Sequence, residues 1–194
     1  MQAIPVTTQG VTSLDEASGF HNTPALFFAM DIASYISGFV DGEGCFCVSF
    51  APSKRHRFGW EIRPSFSVSQ NGDRAELLHT IQKLWACGFI RPDRSDKTLK
   101  YEVRRPRDLV EKVLPHFRAC PLVSSKQKDL DLFGEICEMM YHGRHLDNEG
   151  FQRIVGLAVQ MNPSGKRKYV GSEIVSSLRA GEGIVYATGN RGLS

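Results

Sequence analysis

Residues Ile36-Ser37-Gly38-Phe39-Val40-Asp41-Gly42-Glu43-Gly44 carry a helical pattern straight into two acids separated by glycine, the form of a helix that ends in a metal-ligand turn. Ile32, Tyr35, Ile36, Phe39 and Val40 fall at i, i+3, i+4, i+7 and i+8, one apolar stripe at helical period, and Asp31 is placed to cap its start. Beside it runs a second stripe. Ser34, Gly38 and Gly42 repeat every four residues, and residues this small let another helix backbone approach closely, so the spacing predicts a helix that packs on two faces. The sequence alone also allows a plain buried helix with a glycine stop.

The segment Gly38-Phe39-Val40-Asp41-Gly42-Glu43-Gly44-Cys45-Phe46 resembles the signature of the LAGLIDADG homing endonucleases, more specifically the single-motif, homodimeric, group I intron-encoded type. It departs from the name-giving motif at Ile36, Ser37, Phe39, Val40, Gly42 and Glu43, while the glycines and both acidic positions remain. Glutamate at the last acid keeps an oxygen ligand for a hard cation. The resemblance implies that two copies of the motif helix pack against each other along Ser34, Gly38 and Gly42 and that each delivers its last acid to a shared active site. It further implies an α+β fold: an antiparallel four-stranded saddle sheet packed against helices, with the motif helix at the dimer interface.

Composition is compatible with this. A chain of 194 residues with 41% hydrophobic content suits one domain with a substantial core. Cys45, Cys47, Cys87, Cys120 and Cys137 are odd in number and show no C-x-x-C pair, which points to reduced thiols rather than a disulfide framework or a zinc site. His142 and His145 with Glu149 read as a polar turn rather than a metal cluster. No apolar run reaches the length of a membrane span. The formal net charge of +3 conceals an asymmetry: no Lys or Arg precedes Lys54, so residues 54–194 hold all 24 basic residues against 21 − 5 = 16 acids, a net +8. That part of the chain is suited to an anionic partner. The lack of early arginines argues against an imported organelle protein and against a secretory signal, leaving a bacterial cytoplasm, or a chloroplast or mitochondrion whose own genome encodes the chain.

After the motif, the pattern changes to alternation. Phe46, Val48 and Phe50 oppose Cys45, Cys47 and Ser49; Trp60, Ile62, Phe66 and Val68 oppose Glu61, Arg63, Ser65, Ser67 and Ser69. Residues 52–59 form the intervening hairpin loop, and two further strands fit Gly88–Arg91 and Lys100–Arg104. In the family such a sheet lies in the DNA major groove, so position implies base contacts from Ser49, Glu61, Arg63, Ser65, Ser67, Arg91, Arg94, Lys100 and Glu102. Lys54 and Arg55 in the hairpin loop, and Lys166, Arg167 and Lys168 before the last helix, suit the phosphate backbone.

Helices are expected at 74–86, capped by Asp73 and with Leu77, Leu78, Ile81, Leu84 and Trp85 inward; at 108–117, limited by Pro115; and at 125–141, 149–161 and from 172. Residues 1–30 read as a loosely ordered extension, 31–180 as the endonuclease domain and 181–194 as a flexible tail. Val68-Ser69-Gln70, Leu122 to Lys128 and Met161 to Lys168 resemble further landmarks of the single-motif group. By that likeness Gln70 and Arg74 order water around the cleaved phosphates and Lys126 stands near the developing charge, with Lys128 and Asp41 in supporting positions. Glu43, helped by the Gly42 carbonyl, would hold Mg²⁺, with Mn²⁺ able to substitute and Ca²⁺ supporting binding without efficient cleavage. The implied partners are a double-stranded DNA target and a second copy of the chain, with intron RNA as a further partner and no membrane. The alternative functions are an RNA maturase that assists splicing and a catalytically silent DNA-binding regulator on the same scaffold.

Overall fold

The computed structural model describes residues 31–93, 97–163, 165, 169 and 171–181. Arg94, Lys166, Arg167 and Lys168, along with residues 1–30 and 182–194, lie outside the described residues.

Helix α1 spans Ile32–Glu43, and Asp31 caps it by accepting the amide hydrogens of Ala33 and Ser34 at 3.1 and 3.2 Å. The chain passes without a linker into β1 (Gly44–Pro52), because Gly44 turns out of the helix while its N–H still reaches the Val40 carbonyl. A Cβ on Gly44 would fall 2.5 Å from Val40 Cγ1 and 2.6 Å from Val40 O, so only glycine fits this corner. Strand β2 (Trp60–Asn71) pairs antiparallel with β1, β4 (Thr98–Val103) pairs with β2, and β3 (Phe89–Pro92) closes the other edge, giving the order β1-β2-β4-β3. The sheet is thus the antiparallel four-stranded one expected.

Period 2 separates its faces. Phe46, Val48, Ile62, Phe66, Val68, Tyr101 and Val103 are buried, and Phe46, Phe66, Trp85, Tyr101, Phe117 and Phe133 form a connected set of rings with centroids 5.3–6.3 Å apart. Such tilted and edge-on contacts add to area burial as the main source of cohesion. The helices that cover this face are α2 (Glu76–Trp85), α4 (Leu114–Ala119) and α5 (Lys126–Tyr141), joined by α6 (Asn148–Ala158) and α7 (Gly171–Gly181).

Three local expectations are corrected. Asp73 does not cap α2: residues Gly72–Arg74 form a 3₁₀ turn, α2 begins at Glu76 behind Ala75 without a side-chain cap, and Leu84 is 52% exposed. The segment before it is tied instead by the Gly72 N–H donating to the Lys97 carbonyl at 3.0 Å. Pro115 does not limit its helix. The helical run goes from α3 (Pro106–Asp108) through a π-helical stretch, Leu109–Val113, into α4, whose first turn holds the proline. Helix α6 ends at Ala158 rather than near Met161, since Asn162 takes a left-handed conformation with φ of 45°. The side chain of Asn162 donates to the Phe46 carbonyl at 2.8 Å and its N–H reaches Asp129 at 3.0 Å, which stitches α6 to β1 and α5.

Candidate nucleic-acid interface and cleavage site

The motif helix divides its residues between two environments. Ile36, Ser37 and Val40 are buried, and Ser37 donates to the Cys120 carbonyl at 2.6 Å, which fixes α1 against the end of α4. Ser34, Gly38, Gly42, Ile32 and Tyr35 are exposed, with Ile32 37% and Tyr35 49% exposed, so two members of the expected apolar stripe belong to the open face. A Cβ on Gly38 or Gly42 would meet nothing within 4 Å, and the fold of one chain therefore gives no steric reason for glycine at either position.

At the C-terminal end of α1 long-range contacts converge. The Asp41 carboxylate accepts the N–H groups of Val123 and Ser124 at 3.0 and 2.9 Å and also the Ser124 hydroxyl, pinning the loop that leads into α5. Burial alone would raise the Asp41 carboxyl, but these hydrogen bonds prevail and hold it below the ordinary carboxylate range. Asp41 is a positioning residue for that loop, and the loop delivers Lys126, whose Nζ donates to the carbonyls of Val40 and Gly42 at 3.0 and 3.3 Å. The Gly42 carbonyl belongs to the negative end of the helix dipole, while the Val40 carbonyl also accepts the Gly44 N–H. Glu43 stands exposed on the same turn, and Lys128 is exposed one step further along α5.

Register brings Gln70 to this end of the sheet: Gly44 pairs with Val68, and Gln70 follows two residues later opposite Leu99. Its Oε1 is buried without a hydrogen-bond partner, a costly state for a structural residue and a useful one for a group that has to hold water. Arg74 is exposed in the 3₁₀ turn just after β2. The exposed Glu43 carboxylate and the adjoining Gly42 carbonyl are oxygen donors of the kind Mg²⁺ takes, few in number alongside waters and phosphate oxygens. Among the described residues no cluster of three or more His, Cys, Asp or Glu forms, so His142, His145 and Glu149 make no metal centre there.

The sheet's other face is concave, with a hollow of about 940 Å³ that reaches from Ser67 and Lys100 past Arg63 to the hairpin loop. Ser49 stands opposite Arg63, Cys47 opposite Ser65, Ser67 opposite Glu102 and Lys100 opposite Arg91, so six positions expected to meet bases share one surface with Glu61 and Glu102. Glu61 pairs with Arg63 at 2.6 Å at a site open to solvent, and Lys100 with Asp93 at 2.9 Å at a half-buried one. Glu102 departs from expectation. It is 5% exposed, and its carboxylate is shared among Ser65, Arg91 and Arg104, so it is buried under its partners rather than presented to a base. Desolvation pushes its carboxyl up, yet the bonds from Arg104, Ser65 and Arg91 outweigh it and hold the group below its ordinary value. Cys45, Cys47 and Arg104 also lie on this surface though no role was expected of them there; the alternation that selected Ser49 and Lys100 applied equally to them. Lys54 and Arg55 are exposed in the loop at its rim, where Arg57 donates to the Leu146 carbonyl at 3.1 Å.

The family model described as LAGLIDADG endonuclease matches residues 36–137. "Probable intron-encoded endonuclease 2" of Neurospora crassa is 29% identical over 130 residues, covering 66% of this chain but 29% of the relative, so the chain spans under a third of that protein. Among solved structures, the archaeal intron-encoded homing endonuclease I-Vdi141I complexed with DNA superposes with a TM-score of 0.71 at 27% identity, covering 77% of this chain and 96% of that one. I-SmaMI bound to an uncleaved DNA target in the presence of calcium ions superposes with a TM-score of 0.68 at 26% identity, covering 76% of this chain but 48% of that one.

Proposed function

The chain belongs to the LAGLIDADG endonuclease family, and from that premise we propose that it is an intron-encoded, site-specific homing endonuclease that hydrolyses double-stranded DNA as a homodimer. The observation that carries this reading is the meeting, at the open end of α1, of Glu43, the Gly42 carbonyl and the Lys126 ammonium, with Gln70 and its orphaned amide oxygen two residues past the strand position that pairs with Gly44, in a chain whose sheet has a concave polar face.

Pairing of two chains supplies what one lacks. Gly38 and Gly42 leave open space that a second α1 would fill, and Ile32 and Tyr35 would be buried beside it. The coverage figures support this: one similar chain is matched almost whole, the other over about half its length, as expected of a unit used once or twice per chain. Two copies bring two Glu43 carboxylates to one axis, between the phosphates of the two strands.

Glu43 and the Gly42 carbonyl would hold Mg²⁺ or Mn²⁺, and a divalent ion supplies charge neutralisation at the phosphate and lowers the pKa of bound water. The chain's own residues do the rest. Gln70 accepts a hydrogen bond from the attacking water through Oε1 and orients it. Arg74, exposed close by, faces the phosphate oxygens. Lys126 is held by the Asp41-anchored loop where its ammonium can turn from the helix carbonyls to charge developing on the phosphate. The concave face reads base edges through Arg63, Lys100, Arg91, Ser49, Ser65 and Ser67, and Lys54 and Arg55 neutralise backbone phosphates. The gene would lie in an intron of a bacterial or organellar genome, with the protein acting in that compartment.

Replacing Glu43 with Gln keeps shape and removes charge. Cleavage of a target selected from a randomised duplex library is expected to fall by orders of magnitude in Mg²⁺ while binding in Ca²⁺ persists. Undiminished cleavage by the variant would place the hydrolytic site elsewhere.

A further inference from the structure

Glu102 is the buried carboxylate among the described residues, and both of its oxygens are engaged. Oε1 accepts from Ser65 Oγ at 2.8 Å and lies 2.9 Å from Arg104 Nε as an ion pair; Oε2 accepts from Arg104 Nη2 at 2.9 Å and from Arg91 Nε at 3.0 Å. A carboxylate offers about four acceptor sites; three hydrogen bonds occupy it and the Arg104 guanidinium stands against both oxygens of a group only 5% exposed, which leaves little room for the amino group of a base. The arrangement is directional. Arg104 pairs with both oxygens and donates from Nη2 to Oε2, and its guanidinium lies 5.6 Å from the centroid of the exposed Phe89 ring. Arg91 is held by Nε, so its terminal pair, Nη1 and Nη2, forms the remaining edge; only Nη1 has a further contact, a long one of 3.4 Å to the Pro92 carbonyl.

Two parallel donors are what the O6 and N7 acceptors of guanine require, and an arginine whose Nε is already anchored presents that pair with little rotamer freedom left to lose. We propose that Glu102 is a specificity-determining positioning residue: it aims the terminal edge of Arg91 at a guanine in each half of the target, with Arg104 braced beside it as a backbone or single-acceptor contact. This rests on the assignment of the concave face to DNA. It reverses the role the alternation gives Glu102, since the acid does not read cytosine; it makes an arginine read guanine.

The test uses the full chain and the binding preferences of wild type, Arg91→Ala and Glu102→Gln, profiled over all single-base substitutions of a duplex selected from a randomised library, in Ca²⁺. Wild type is expected to prefer G·C at one position per half-site, and both variants to lose that preference by about tenfold or more, with other positions and the salt dependence of Glu102→Gln unchanged. Glu102→Asp, which keeps the charge but withdraws the oxygens, is read in the same way if the amide variant does not fold. A Glu102 variant that keeps the preference Arg91→Ala abolishes, or that weakens all positions equally, overturns the inference while leaving the DNA-reading face intact. A wild-type protein without any sequence preference overturns the proposed function and this inference with it.

Discussion

On the dry face of the sheet Phe66 and Tyr101 are fully buried and touch other rings; on the wet face Glu102 is almost as deeply buried and its carboxylate is held by Ser65, Arg91 and Arg104. The dry side is held by burial, which is non-directional, so side chains of similar size can substitute for one another at modest loss. The wet side is held by directed bonds between particular atoms, where exchange of one partner strands the others. Stability resides in the first and the proposed selectivity in the second, although the same strands build both.

Substitutions can test how cleanly the two separate. The largest stability effect is expected from Phe66→Ala, which opens a cavity beneath Phe46, Trp85 and Phe117 and should cost about 3–5 kcal/mol in denaturant unfolding, with base preferences of the remaining folded protein unchanged. A shift in preference would show that the faces are mechanically coupled. Gly38→Leu should separate the two behaviours on α1 in the same way. Its side chain enters open space, so the thermal midpoint of the monomer should stay put while dimerisation, followed by light scattering with and without DNA, is lost. Arg63→Ala removes an exposed pair with Glu61 and should alter stability by no more than about 0.5 kcal/mol, while preference at one base pair per half-site drops by about 1–3 kcal/mol.

The smallest effect is that of pH. The Glu102 carboxyl is lowered in the folded chain from an ordinary value of 4.5, so its contribution is fully present above that value and is lost as pH falls through the lower folded value. Acid melting profiles should therefore fall below about pH 4.5, and Glu102→Gln should flatten part of that fall. A variant with an unchanged acid limb would mean that the arginine pair adds no stability to the wet face.

Much of the fold was legible in the chain because it depends on near neighbours. Helix period and the Asp31 cap gave α1, alternation gave β1 and β2, and Gly44 marked the corner between them. Asp73 misled because a carboxylate before an apolar period resembles a cap, whereas the backbone there is tied to Lys97 across the sheet. Pro115 misled because the π-helical stretch before it is not visible in residue types.

What the sequence determined by itself is therefore period and punctuation: which residues of α1 could face inward, which sides of the strands are dry, and that the acids of the motif stand at a helix end. Those follow from forces acting over a few residues. The tertiary structure alone decided the order β1-β2-β4-β3, the seat of Asp41 on Ser124, the reach of Lys126 to the carbonyls of Val40 and Gly42, and the sharing of Glu102 between Arg91 and Arg104. A hydrogen bond is fixed by the distance and direction between two atoms. Across some eighty residues of chain, only the packed fold sets either one.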